Sequence, residues 1–198
     1  MPTTPSILVC LAHGNDAIEI TTFLTLLPRA GIDITLASVE GDGALRIDSP
    51  EGLSFTAQCP LSQAVDKPHD LLLLVGGEES CLTYASSDLL LESITQFAAT
   101  GRYVAAMSHV VPMLIDNIER FQGANVTCLM RQANSLRHLN WQERRVVNDP
   151  RYLLLTGQGP LCAIDMALKI IELLLNKEQA HQLTADLALP IGIYNYQE

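Results

Sequence analysis

Apolar residues in this chain fall into two kinds of run. Some are continuous: Ile7-Leu8-Val9-Cys10-Leu11-Ala12, Leu71-Leu72-Leu73-Leu74-Val75 and Val104-Ala105-Ala106-Met107. A strand covered on both faces reads this way, because neither face meets water. Others recur at helical spacing. Ile20, Phe23, Leu24 and Leu27 stand at i, i+3, i+4 and i+7, and predict an amphipathic helix after the break His13-Gly14-Asn15-Asp16. Gly31 can supply the left-handed residue that ends this helix, while Pro28 removes one backbone donor and should loosen its last turn. Residues 32–39 predict a second strand. Strand, helix, strand implies a parallel pair with a right-handed crossover.

Further along, residues 44–48 and 54–57 flank Ser49-Pro50-Glu51-Gly52 and predict a small projecting hairpin. A short helical piece near 60–65 precedes the strand 71–75, which Gly76-Gly77 stops. A helix over about 88–100 turns Leu91, Ile94 and Ala98 inward. Then come a strand at 103–107 and a helix through Val111, Leu114, Ile115 and Ile118. A short strand at 126–129 follows, and strands at 144–147 and 152–156 flank the turn Asn148-Asp149-Pro150-Arg151. The last long helix starts at Pro160, with Leu161, Ile164, Leu168, Ile171 and Leu175 as its inner face and Asp165 paired to Lys169 outside. No linker or repeat interrupts the series. Residues 1–198 therefore read as one α/β domain of flavodoxin-like, doubly wound type: a mainly parallel sheet, helices on both faces and a small projecting hairpin.

Composition agrees with a packed core: 48% of residues are hydrophobic and 17% charged. The net charge of -10 argues against nucleic acid as a partner. Arg131, Arg137, Arg144, Arg145 and Arg151, with Trp141 among them, form a local basic stretch. It reads as a solvated or subunit-facing segment rather than an RNA-binding patch. The five cysteines (Cys10, Cys59, Cys81, Cys128, Cys162) are odd in number and scattered, which fits neither a disulfide framework nor a zinc site. His69, His138 and His181 are isolated, so no metal is expected. Gly157-Gln158-Gly159 has Cys162 where a dinucleotide loop needs its third glycine, and no cofactor is expected. The first five residues carry no basic segment, and the run 7–12 is too short to span a membrane. A reduced, cytoplasmic protein with no membrane partner is the expectation.

In doubly wound sheets, ligands bind beyond the carboxyl ends of the strands. Three such ends carry polar chemistry: His13 with the following Glu19, Gly76-Gly77, and Ser108-His109. Ser108 could be a nucleophile, with His13 or His109 as its base and backbone donors near Gly77 and His109 as an oxyanion hole. The plainer reading is that it caps the helix that begins at His109, its hydroxyl satisfying an orphan amide. Glu19 could face this elbow, or complete a capping box with Asp16, or both. Gly76-Gly77 could be an anion-tolerant backbone nest or a plain turn.

Four motifs in order resemble the ThiJ/PfpI superfamily, which includes the Parkinsonism-associated deglycase and class I glutamine amidotransferase-like proteins. They are "ILVCLAHGNDAIEITTFLTLLPRAGIDITLASVEG", "DLLLLVGG" with Val75 where proline is usual, "VAAMSH", and "LLLTGQGP" before an amphipathic helix. The likeness runs over about 7–175. It implies a homodimer and a reactive cysteine on a strand-to-helix elbow, hydrogen-bonded by a glutamate from the first helix. It also implies glyoxal or deglycase, peptidase or amidase, or redox-sensing chemistry. The glutamate falls on Glu19 and the glycines on Gly76 and Gly77, but the cysteine position holds Ser108. Leu129 stands near where the deglycase branch has a histidine, and Val110 where a small glycine is usual, which should crowd the turn. Two functions follow from the resemblance. One is a stress-related, binding or regulatory protein, with a small-molecule ligand, that has lost thiolate catalysis. The other is a peptidase-like or amidase-like hydrolase, or an aldehyde-processing enzyme, that uses Ser108.

Overall fold

A computed structural model describes residues 4–133 and 140–189. Arg137, His138 and the first three residues, which entered the readings of charge, metal ligands and leader, lie outside the described residues. The chain opens with β1 (Ser6–Leu11), α1 (Ala17–Arg29) and β2 (Asp33–Ser38), followed by β3 (Arg46–Asp48) and β4 (Ser54–Thr56), then β5 (Cys59–Pro60) and β6 (Leu71–Leu74). Next come α2 (Ser80–Ser86), α3 (Asp88–Ala99), β7 (Tyr103–Met107) and α4 (Val110–Asn117). A minor excursion holds β8 (Asn125–Val126), α5 (Met130–Ala133) and β9 (Asn140–Trp141). β10 (Val146–Asp149), β11 (Leu154–Gly157), α6 (Ala163–Leu174) and α7 (Lys177–Asp186) complete the described chain.

The main sheet runs β10-β11-β7-β6-β1-β2-β5. Every neighbouring pair in it is parallel except β10 with β11. Helices cover both faces, as a flavodoxin-like α/β fold requires, and β3–β4 form the separate antiparallel hairpin. The continuous apolar runs now have a physical reason. Leu8, Cys10, Leu72, Leu74, Val104 and Ala106 join the core on one face with Leu90, Ile94, Phe97, Val111 and Leu114. Their alternates Ile7, Val9, Leu11, Leu71, Leu73, Ala105 and Met107 join the core on the other, with Ile20, Phe23, Leu27, Met166 and Ile170. Period two sends successive residues to opposite faces, and both faces are dry.

Several local expectations are corrected. The strand expected at 126–129 is only β8, off the main sheet and paired with β9. Thr127 leaves the strand because its amide donates to Thr156 Oγ1 at 3.0 Å and its hydroxyl to the Arg144 carbonyl at 2.7 Å. Of the inner face expected for the last long helix, Leu168 and Ile171 are buried, together with Ala163, Met166, Ala167 and Ile170, but Leu161 is 71% exposed and Ile164 only half-buried. Residues Pro160–Cys162 form a 3-10 turn, whose shorter period shifts the phase before α6 begins. Asp165 pairs with Arg145 at 2.7 Å and Lys169 with Glu172 at 2.9 Å, rather than with each other. Pro28 does not unravel α1: the Ala30 amide closes the last turn on the Leu26 and Leu27 carbonyls, the Gly31 amide donates to the Pro28 carbonyl, and Gly31 leaves the helix at φ 83°. α2 and α7 were not anticipated. The first buries only Ser80 and Tyr84, the second only Ala180, Leu183 and Thr184, so neither shows a strong apolar stripe.

Candidate functional site

The carboxyl ends of β1, β6 and β7 lie side by side, since Cys10 is level with Leu74 and Leu74 with Ala106. This register brings three distant segments to one rim. β7 ends at Met107, and Ser108 turns the chain at φ 49°, in the left-handed region. An L side chain there costs on the order of 1 kcal/mol. The Ser108 amide holds the turn in place by donating to the Gly157 carbonyl at 2.9 Å. Its side chain is buried, and its hydroxyl donates to Glu19 Oε1.

That bond decides between cap and elbow. The residue preceding α4 is His109, and no side chain caps the helix. Ser108 has one hydroxyl proton, and it goes to Glu19. Val110 does not crowd the turn. It has no positive φ, and its side chain packs into the core on the α4 face of the sheet.

Glu19 sits in the first turn of α1 and is fully buried. Asp16 caps that turn, accepting from the Ile18 and Glu19 amides at 2.9 and 3.1 Å. The reciprocal half of a capping box is missing: the Asp16 amide donates to the Gly76 carbonyl at 2.9 Å, and Glu19 Oε2 instead accepts from the Gly76 amide at 2.6 Å. Burial pushes the Glu19 carboxyl up to about 7, with some help from the Asp16 charge, against the downward pull of the Ser108 and Gly76 hydrogen bonds. Near neutral pH it is thus poised between its two protonation states.

The glycine pair allows this closeness. A Cβ on Gly76 would fall 2.7 Å from Glu19 Oε2 and 3.0 Å from Ser108 Cβ. One on Gly77, whose φ is 154°, would overlap the Gly14 carbonyl oxygen. The amides of Gly77 and His109 donate to no described residue.

The histidines are not where a base would be needed. His13 faces the hairpin: its amide donates to Glu40 at 2.8 Å, and its Nδ1 accepts from the Asp48 amide at 3.1 Å. The His109 ring meets Arg131, with Nη2 and Nε2 2.7 Å apart. Among the described residues, neither ring bonds the Ser108 hydroxyl, so the expected histidine base is corrected, while the glutamate that the resemblance implied does meet the serine.

Two residues escaped sequence reasoning. Asn15 is fully buried beneath the rim. Its Oδ1 accepts from the Ala12 amide at 2.7 Å, and its Nδ2 donates to the Val75 and Gly76 carbonyls at 2.8 and 3.1 Å. The buried Tyr84 hydroxyl lies 2.7 Å from the Cys10 carbonyl and 3.1 Å from Asn15 Oδ1. Asn15 stood in a polar break and read as a loop residue, and Tyr84 belongs to a helix that was not anticipated. No pattern in the chain marks either as buried.

All five cysteines are free. Burial pushes the Cys81 thiol up to about 12 and the Cys128 thiol up to about 11, so both stay protonated near neutral pH. No group of three or more metal-ligating side chains occurs among the described residues.

The comparisons with known proteins fit this geometry. A family model described as "DJ-1/PfpI family" matches residues 5–173. The chain belongs to the DJ-1/PfpI family. Among curated relatives, it is 28% identical to Protein DJ-1 homolog A of Arabidopsis thaliana over 94% of its own length and 47% of that protein's. It spans less than half of that protein and of its Arabidopsis homolog B, of which it covers 42%. Protein dj-1beta of Drosophila melanogaster is 26% identical, with 92% of this chain and 96% of that one aligned. The crystal structure of Drosophila melanogaster DJ-1beta superposes with a TM-score of 0.87 at 25% identity, covering 95% of this chain and all of that one. The oxidized DJ-1 of Toxoplasma gondii gives 0.85 at 26% identity, with 93% and 98% covered.

Proposed function

We propose that this DJ-1/PfpI-family chain is a single-domain, cytoplasmic, homodimeric, stress-related protein that binds a small molecule at its elbow without thiolate chemistry. The Ser108–Glu19 pair carries this reading. A serine hydroxyl is not ionised near neutral pH, and its only side-chain partner among the described residues is a buried carboxyl with a proton affinity far below that of an alkoxide. The pair favours a hydrogen-bonded hydroxyl over a nucleophile. Supporting the wider reading, the described strands of the main sheet form one continuous layer. No described helix is long and apolar enough to cross a membrane.

The test is covalent labelling. The full chain is exposed to a serine-reactive fluorophosphonate and its intact mass measured. The expected result is no adduct at Ser108. In parallel, Ser108→Cys should alkylate with iodoacetamide faster than any native cysteine, because the elbow geometry is intact and only the nucleophile is missing.

One observation favours a second reading, a hydrolase or aldehyde-processing enzyme. Ser108 is held at φ 49° beside two amides, of Gly77 and His109, that bond no described residue, as an oxyanion site would require. Under this reading Glu19 accepts the hydroxyl proton, and a fluorophosphonate adduct forms that Ser108→Ala abolishes.

A further inference from the structure

The rim of the elbow holds a contact that the Ser108–Glu19 pair does not use. Arg131, exposed on α5, brings Nη2 to 2.7 Å from His109 Nε2. A guanidinium only donates, so Nε2 accepts and the ring is neutral. Among the described residues Arg131 makes no ion pair, although acidic residues outnumber basic ones 22 to 12 in the chain. His109 directly follows Ser108 and is half-buried. A cation and a neutral imidazole thus touch at the rim with no described anion between them.

We propose that Arg131 and His109 form a recognition pair for the carboxylate of a small organic acid at the rim of the Ser108 elbow, an inference that rests on the binding role proposed above. The guanidinium fork offers parallel N–H donors that match a carboxylate. When the anion takes Arg131, the His109 ring loses its donor and faces negative charge. It then takes one proton from solvent, and Nε2 changes from acceptor to donor. No other bond is made or broken. The ligand's remaining polar groups can meet the amides of Gly77 and His109.

The charges around His109 define both the class and the pH dependence. It faces Arg131 of α5, Glu78 of the loop after β6, and Asp16 at the start of α1. Burial and then Arg131 hold its proton affinity below the usual histidine range, while Glu78 and Asp16 oppose them. A bound anion raises that affinity. Binding is therefore tight below the pKa of the bound state and weakens as pH rises through it. Glu78 and Asp16 also repel a dianion more than a monoanion, which selects carboxylate over phosphate.

The experiment is isothermal titration of the full chain with pyruvate at about pH 6 and about pH 8, in two buffers of different protonation enthalpy. Methyl pyruvate and inorganic phosphate serve as comparators. Saturable pyruvate binding with net proton uptake, tighter at the lower pH, is expected. Arg131→Gln should weaken it about ten-fold or more, with the fold checked by circular dichroism, and His109→Gln should remove the proton uptake. Unchanged affinity in Arg131→Gln, methyl pyruvate binding as tightly as pyruvate, phosphate binding more tightly, or no saturable binding would each overturn the proposal. The two readings fail separately. Pyruvate binding that survives Ser108→Ala, alongside a fluorophosphonate adduct on the native chain, supports the carboxylate site and sinks the non-enzymatic role. Absence of both binding and adduct sinks the site and leaves that role standing.

Discussion

A carboxyl group removed from water prefers to keep its proton, and among the described residues Glu19 is where that preference meets the candidate chemistry. Its proton affinity rises from 4.5 to about 7, burial being the largest cause. A folded-state pKa above the unfolded value means that the folded chain binds the proton more tightly. The contribution is fully present below the unfolded value and is lost as pH rises through about 7. The shift corresponds to roughly 3 kcal/mol at most across that window. His69 and His109 titrate nearby with the opposite sign, since burial lowers both. The informative quantity is therefore the difference between the native chain and Glu19→Gln. Urea unfolding between about pH 4 and about pH 8 should show the native chain losing stability relative to Glu19→Gln as pH rises. Parallel curves would mean that the carboxyl is not desolvated in solution. Ser108→Ala should cost about 1–3 kcal/mol by the same measurement, because it leaves a buried Glu19 oxygen without its donor.

At the scale of elements, the elbow is held by a brace rather than by its own turn. Asn15 ties the end of β1 to the loop after β6, and Tyr84 of α2 locks Asn15 from below. The Gly76 amide that this brace fixes is the one that orients Glu19. Tyr84→Phe should destabilise by about 1–2 kcal/mol, and Asn15→Ala by more, since it strips partners from three buried backbone groups. Beyond stability, Asn15→Ala placed on a Ser108→Cys background should change the rate of thiol alkylation. An unchanged rate would show that the brace does not reach the elbow. The same elements explain what was legible in the chain. Continuous runs such as 71–75 announced buried parallel strands, and their ends announced the rim. The strand-end pattern led to Glu19, Gly76 and Ser108 together, because topology and periodicity alone set which strand ends are neighbours. Glu19 as the serine's neighbour came with the family resemblance, whereas the exclusion of both histidines was not legible. Both histidines were nearer in residue type to a base than Glu19, and only coordinates reveal that His13 is occupied by the hairpin and His109 by Arg131. Short polar helices such as α7, and side chains such as Asn15, carry no periodic signal of burial.

Over the whole molecule, the rim depends on a sheet sandwiched between two cores that share no side chain but share every central strand. Leu72 lies in one core and Leu73 in the other, and both belong to β6 in the middle of the layer. Truncating either opens a cavity in a fully dry environment, and Leu→Ala at such sites costs about 2–5 kcal/mol. If the described residues fold as one unit, neither half of the sandwich can melt alone, because losing the helices on one face exposes the strands that hold the other. Leu72→Ala and Leu73→Ala should then each shift a single calorimetric transition to lower temperature, with the calorimetric and van't Hoff enthalpies still equal. Alkylation of Ser108→Cys, followed as temperature rises, should accelerate in step with that transition, since the elbow hangs from β7 and borrows its anchors from β1, β6 and β11. A second transition present in one variant and absent in the other would divide the chain into two cooperative units and remove the physical basis for a rim assembled from three strands.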